Sequence, residues 1–75
     1  MKLVLAGNYE QFKYYYPEKN RNIRYIHSIE DCIGYHGCEI DMVGTWYERD
    51  KELIMECEIM KNRWDGMKNP YKVGD

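Results

Sequence analysis

The chain has no block of basic residues, no long apolar run and no even set of cysteines, and each lack removes a class of protein. Eleven lysines and arginines stand against 13 acidic residues, a formal charge of −2. The electrostatic footprint that holds a duplex backbone is therefore missing, and no nucleic-acid partner is expected. No stretch approaches the roughly 18 apolar residues of a spanning helix, and no apolar segment of a secretory signal is present, so no membrane contact is expected. Three cysteines, Cys32, Cys38 and Cys57, cannot all pair with one another. Reduced thiols and a cytoplasmic setting are the expectation. Neither G-x-G-x-x-G nor G-x-x-x-x-G-K-[ST] occurs, which removes the two commonest phosphate-cradling loops.

What is there is a strand followed by a turn, three times over. Lys2 to Ala6 runs into Gly7-Asn8, Ile23 to His27 into Ser28, and Glu39 to Val43 into Gly44-Thr45, and each turn opens a segment with helical spacing. A repeated βα unit predicts an α/β fold. A chain of 75 residues forms at most one domain and buries only about 60% of its unfolded surface, so its stability margin is thin. The domain is expected over residues 1–66, with 67–75, which carry Pro70, as a disordered C-terminal tail.

Leu3-Val4-Leu5-Ala6 is continuously apolar, as suits a strand covered on both faces. Ile23-Arg24-Tyr25-Ile26-His27 mixes in polar positions, as an edge strand does. Asn8 is an N-cap candidate with Gln11 three residues on, and the first helix is predicted over about Tyr9 to Tyr16, ahead of Pro17. Ser28 with Asp31 approximates a capping box for a short helix from about Ile29 to Ile33. The longest helix is predicted from about Asp50 to Trp64, with Leu53, Cys57, Met60 and Trp64 on one face and Asp65-Gly66 as its stop.

Right-handed crossovers then favour a three-stranded parallel sheet of order 2-1-3 with helices on both faces, a flavodoxin-like or Rossmann-like half. The order 1-2-3 would leave the Leu3 to Ala6 run half in water.

The stretches KLVLAGNYEQF, RYIHSIEDCIGYHG and VGTWYERDKEL resemble small uncharacterised α/β proteins of tailed phages and prophages, which share a strand-AGN start and a G-[ST]-aromatic-aromatic-E-R turn. The likeness spans roughly Lys2 to Leu53. It implies a compact α/β fold and residence in the cytoplasm of an infected bacterium, and it names no activity.

Ligands of open parallel sheets sit beyond the carboxyl ends of the strands, where connections leave to opposite faces. Gly7, Asn8, Ser28 and Thr45 line that rim, with Arg49 beside it, and together they could hold a nucleotide or phosphate. Ordinary turn and capping chemistry accounts for the same residues. His27 and Ser28 are adjacent on a strand end and point to opposite faces, which does not make a catalytic dyad. Glu48 as a nucleophile on a nucleoside, in the manner of deoxyribosyltransferase-like folds, lacks chain to exclude water. Cys32, His36 and Cys38 match no usual zinc spacing and would need His27 or Cys57 as a fourth ligand. No catalytic group, metal or cofactor is therefore expected.

The remaining signal is surplus apolar surface. Eight tyrosines, two tryptophans and one phenylalanine exceed what so small a core encloses. Met55 and Ile59 lie about 200° and 240° around the last helix from Leu53, at about 100° per residue, away from its apolar stripe. Tyr14 falls off the main face of the first helix. Trp46, Tyr47, Glu48 and Arg49, with Met55 and Ile59, have the composition of a protein-binding hot spot. The expectation is a non-enzymatic protein that binds a host or phage protein and, in a stronger form, inhibits it. Two open sheet edges make a homodimer the other way of covering the same surface.

Overall fold

The computed structural model describes residues 1–35 and 38–68, for 67 and 68 the backbone alone. Three strands, β1 (Lys2–Ala6), β2 (Ile23–Tyr25) and β3 (Glu39–Val43), form one parallel sheet in the order β2-β1-β3. Lys2 lies opposite Ile23 on one side and Glu39 on the other, and Val4 opposite Tyr25 and Asp41. Two α-helices, α1 (Tyr9–Tyr15) and α2 (Lys51–Lys68), and two 3₁₀ turns, Ile29–Cys32 and Trp46–Glu48, complete the described chain. The predicted α/β class, strand order and parallel sense are what the structure has.

The alternation of β1 divides its side chains between two cores. Leu3 and Leu5 point to the face covered by α2 and the first 3₁₀ turn, where they pack with Ile26, Cys32, Cys38, Ile40, Leu53, Cys57 and Met60. Val4 and Ala6 point to the face covered by α1 and meet Phe12, with Tyr16, Ile23, Tyr25 and Val43 around them. Leu3, Val4, Leu5 and Ala6 are each at most 1% exposed. A strand buried on both sides must be apolar at consecutive positions, which is why Leu3 to Ala6 shows no alternation.

β3 does alternate. Ile40 and Met42 join the α2 core. Glu39 and Asp41 face the other way, where the Lys2 ammonium sits 3.4 Å from the Glu39 carboxylate and the Tyr16 hydroxyl donates to Asp41. With seven residues, α1 is about 10 Å long at 1.5 Å per residue. It covers β1 and leaves this part of β3 to polar side chains.

Three boundaries differ from the sequence expectation. The second strand ends at Tyr25 rather than His27, although the Ile26 N–H still reaches the Val4 carbonyl at 3.0 Å. The Ile29 segment is a single 3₁₀ turn. The last helix runs through Asp65-Gly66 to Lys68. A glycine stops a helix when it takes a left-handed conformation, and Gly66 does not; its φ is not positive. An interior glycine costs only about 1 kcal/mol, which a helix of this length absorbs. The expected boundary at residue 66 thus falls inside α2, and residues 69–75 of the expected tail lie outside the described residues.

Candidate functional site

The two turns expected to flank the strand-end crevice lie together. β1 leads to α1 on the Val4 face and β3 leads to α2 on the Leu3 face, so the two connections part between Gly7 and Thr45. Their donors, however, are engaged by a side chain of the protein itself. Gln11 Oε1 accepts from the Gly7 N–H and the Thr45 N–H, both at 2.9 Å, and Gln11 Nε2 donates to Thr45 Oγ1 at 2.8 Å. One amide therefore ties the β1 turn to the β3 turn across the point where they diverge.

The glycines of the two turns follow from that plug. A Cβ at Gly7 would collide with the Thr45 hydroxyl and Gln11 Oε1, and one at Gly44 with Gln11 Oε1. Gly44 also has φ +59, a left-handed backbone that side chains disfavour. Asn8 caps α1 by accepting the Gln11 N–H at 2.9 Å. The Gln11 side chain itself goes to Gly7 and Thr45, where two N–H groups converge on its carbonyl oxygen.

Arg49 closes the other half of the rim. Its guanidinium donates to the carbonyls of Ala6 (2.8 Å), Ile26 (3.1 Å) and His27 (2.9 Å), and to the Tyr25 hydroxyl (3.3 Å). It also lies 5.6 Å from the Tyr25 ring centroid. The carboxyl ends of β1 and β2 leave carbonyls without ladder partners, and a planar, multidonor fork is the side chain that can satisfy several at once. Ser28 adjoins this clamp. Asp31 Oδ2 accepts the His27 N–H at 2.7 Å and the Ser28 N–H at 3.4 Å. Gly7, Asn8, Ser28, Thr45 and Arg49 thus do share one rim, and there the structure assigns them turn, capping and clamping bonds.

The residues nominated for a partner divide. Trp46 is half-buried and packs against the α2 core, and its ring meets that of Tyr47 edge-on at 5.8 Å. Arg49 is held as described. Tyr47, Met55 and Ile59 are 64%, 60% and 42% exposed, and Glu48 is exposed beside them in sequence. The three thiols are buried. Cys32 and Cys57 share a hydrogen bond across the contact of the first 3₁₀ turn with α2; that bond, with burial, pushes the Cys57 thiol well above its usual range. Burial likewise raises Cys38. Among the described residues no group of three or more His, Cys, Asp or Glu could hold a metal ion; His36 lies outside them.

One cluster on the rim was not foreseen. Tyr9, Phe12, Tyr25 and His27 gather at the free edge of β2. Tyr25 stands edge-on to Tyr9 (5.5 Å, 77°) and to His27 (4.7 Å, 84°), while the Tyr9 and His27 planes lie 14° apart with centroids 6.5 Å apart. A surface cavity of about 350 Å³ opens here, and Tyr9, Phe12, Arg24, Tyr25, His27 and Asp31 are among its lining. The available signal was the i, i+2 spacing of Tyr25 and His27, which places both on the α1 face of an edge strand, opposite the first residue of the helix.

No helix among the described residues is long and apolar enough to cross a membrane. Comparison with family models, with curated proteins and with solved structures gave no match to this chain.

Proposed function

We propose that the chain acts by binding another protein through the outer surface formed by Tyr47, Met55 and Ile59, as a small phage-type protein directed at a host or phage target in the bacterial cytoplasm. The observation that carries this reading is the exposure of these three large side chains, 64%, 60% and 42%, in a fold that packs Leu53, Cys57 and Met60 on the opposite side of the same helix. Tyrosine and methionine are enriched where proteins meet, because they offer large area with a polar tip or an adaptable thioether. The flavodoxin-like or Rossmann-like label belongs to the same proposal, as a description of how the sheet is wound.

Arg49 drops out of the binding surface, since its donors are engaged by backbone carbonyls. Trp46 serves it by supporting Tyr47 from the core side. The test is affinity capture from a bacterial lysate with wild type and with the triple variant Tyr47→Ser, Met55→Ser, Ile59→Ser, both checked for equal melting temperature. One protein recovered in stoichiometric amount by wild type and lost by the variant is the expected result. Equal recovery by both would reject the surface. A homodimer through the same face would show as a doubled mass in light scattering that the triple variant returns to one chain.

A further inference from the structure

Cys32 and Cys57 share a hydrogen bond between their thiols, and they come from elements of unequal firmness. Cys57 lies on the buried stripe of α2 between Leu53 and Met60, and Cys32 closes the first 3₁₀ turn; they are 0% and 2% exposed. The helix has 18 residues. The turn has four, of which Cys32 is buried, while Ile29, Glu30 and Asp31 before it and Ile33 after it are exposed. Gly34 follows with φ +96, and nothing lies within 4 Å of where its Cβ would stand. A turn held by so few buried contacts opens locally at a fraction of the free energy of global unfolding. Opening exposes Cys32 and leaves Cys57 in its helix. The third thiol of this core, Cys38, is turned to the Met1 carbonyl, to which it donates at 3.4 Å.

The bond between the two thiols also orders their reactivity. Cys57 donates to Cys32, which lowers the Cys32 thiol below its ordinary value and raises Cys57 above its own. Cys32 is therefore the sulfur that ionises first, and the thiolate is the nucleophile of disulfide exchange. Two thiols in contact have only to lose their protons and approach to about 2.05 Å to bond. We propose that Cys32 and Cys57 form a redox site, closed to a reversible disulfide by a small-molecule disulfide oxidant of the glutathione type. When the turn opens, the Cys32 thiolate attacks one sulfur of oxidised glutathione. A bond from Cys32 to glutathione forms, the glutathione S–S bond breaks, and one glutathione leaves as a thiolate that takes up the proton Cys32 gave to solvent. The Cys57 sulfur then attacks Cys32 Sγ, the mixed bond breaks, and the second glutathione leaves with the Cys57 proton. Two protein thiols are oxidised, and one glutathione disulfide is reduced to two thiols. The new bond fastens to α2 the turn whose Asp31 holds the His27 and Ser28 N–H groups. Under reducing conditions the pair stays open. The site is separate from the protein-binding surface and does not depend on it.

The experiment equilibrates the full chain, without denaturant, in mixtures of reduced and oxidised glutathione, blocks the remaining thiols with N-ethylmaleimide and maps the cysteines by peptide mass spectrometry. In oxidising mixtures the wild type should lose two hydrogens, with Cys32 joined to Cys57 and Cys38 carrying the maleimide, and dithiothreitol should restore all three thiols. The Asp31 and Ile33 N–H groups bond within the turn. Their exchange with solvent should slow about tenfold in the oxidised chain, because the turn no longer opens by itself. Cys57→Ala, which removes the second thiol, should stop at glutathione on Cys32, and Cys38→Ser should oxidise like the wild type. The wild-type map decides the outcome even where a variant fails to fold. No internal disulfide in the folded wild type, a bond to Cys38, or a Cys32 to Cys57 bond that forms only in urea would overturn the site. Unchanged exchange in the oxidised chain would overturn its action on the turn.

Discussion

The two faces of the sheet are built from different materials. The Leu3 face is aliphatic and sulfur-rich, sealed by an 18-residue helix and a 3₁₀ turn, and its central side chains are almost completely buried. The Val4 face is aromatic and partly polar. A seven-residue helix covers its middle, Tyr16, Lys2, Glu39 and Asp41 form a polar network at one end, and Tyr9, Tyr25 and His27 leave ring surface in water at the other. The contrast teaches that a short α/β chain puts its stability on one side and frees the other. Apolar burial is worth roughly 25 cal/mol per Å², and only the longer helix offers enough area to dominate.

The strongest way to break that contrast is to cut the thick face. Leu5→Ala removes a fully buried side chain of the α2 core and should cost about 2–5 kcal/mol in urea unfolding. In a domain this small, such a loss approaches the whole stability. Val4→Ala on the α1 face removes a smaller group from a smaller cluster and should cost distinctly less. Equal costs would mean that the two faces are energetically alike.

Next in size is the rim clamp. Arg49→Lys keeps the charge but cannot reach three carbonyls at the ends of two strands, and should lose about 1.5–3 kcal/mol in the same measurement. Gln11→Ala frees the N–H groups of Gly7 and Thr45 and should lose about 1–2 kcal/mol. These groups become open to water, so hydrogen exchange at both amides should rise more than stability falls. Unchanged protection there would show that the turns hold without the plug.

The polar end of the Val4 face sharpens the comparison through pH. Burial, and then the bond to Asp41, raises the pKa of Tyr16 above its ordinary value of 10.0. Burial alone would lower the Lys2 pKa, but the Glu39 and Tyr16 contacts outweigh it and raise it from 10.5. Both groups bind their protons more tightly folded than unfolded. Their contribution is therefore complete below about pH 10 and is lost as pH rises through the folded values. Urea midpoints across the alkaline range should fall, and Tyr16→Phe should flatten that fall while costing about 0.5–1.5 kcal/mol at neutral pH. The smallest effect belongs to the surface. Tyr47→Ala and Met55→Ala should each change stability by no more than about 0.5 kcal/mol.

Much of the fold is legible in the residues. Leu3 to Ala6 names a strand with two buried faces, and the step pattern Leu53, Cys57, Met60 names the helix face that covers one of them. With right-handed crossovers, order 2-1-3 is then preferred over 1-2-3, which would leave one face of the run uncovered. The end of α2 was less legible. Asp65-Gly66 reads as a stop, yet a glycine terminates a helix only if the chain beyond it turns away, which depends on contacts further along.

The candidate site shows the same division more sharply. That Gly7, Ser28 and Thr45 would share a rim follows from strand order alone. That Gln11 would reach Thr45, or that Arg49 would clamp Ala6, Ile26 and His27, does not, since these bonds join residues 22 to 43 positions apart.

Hydrophobic order along the chain, a property of neighbouring residues, together with the right-handed sense of crossovers, favoured a parallel three-stranded sheet with its first strand in the middle. Which polar side chains hold the rim and which aromatic rings stand free was decided only in three dimensions. A hydrogen bond or a ring contact depends on distances between strands and turns, and those distances are set after the apolar cores have brought the elements together.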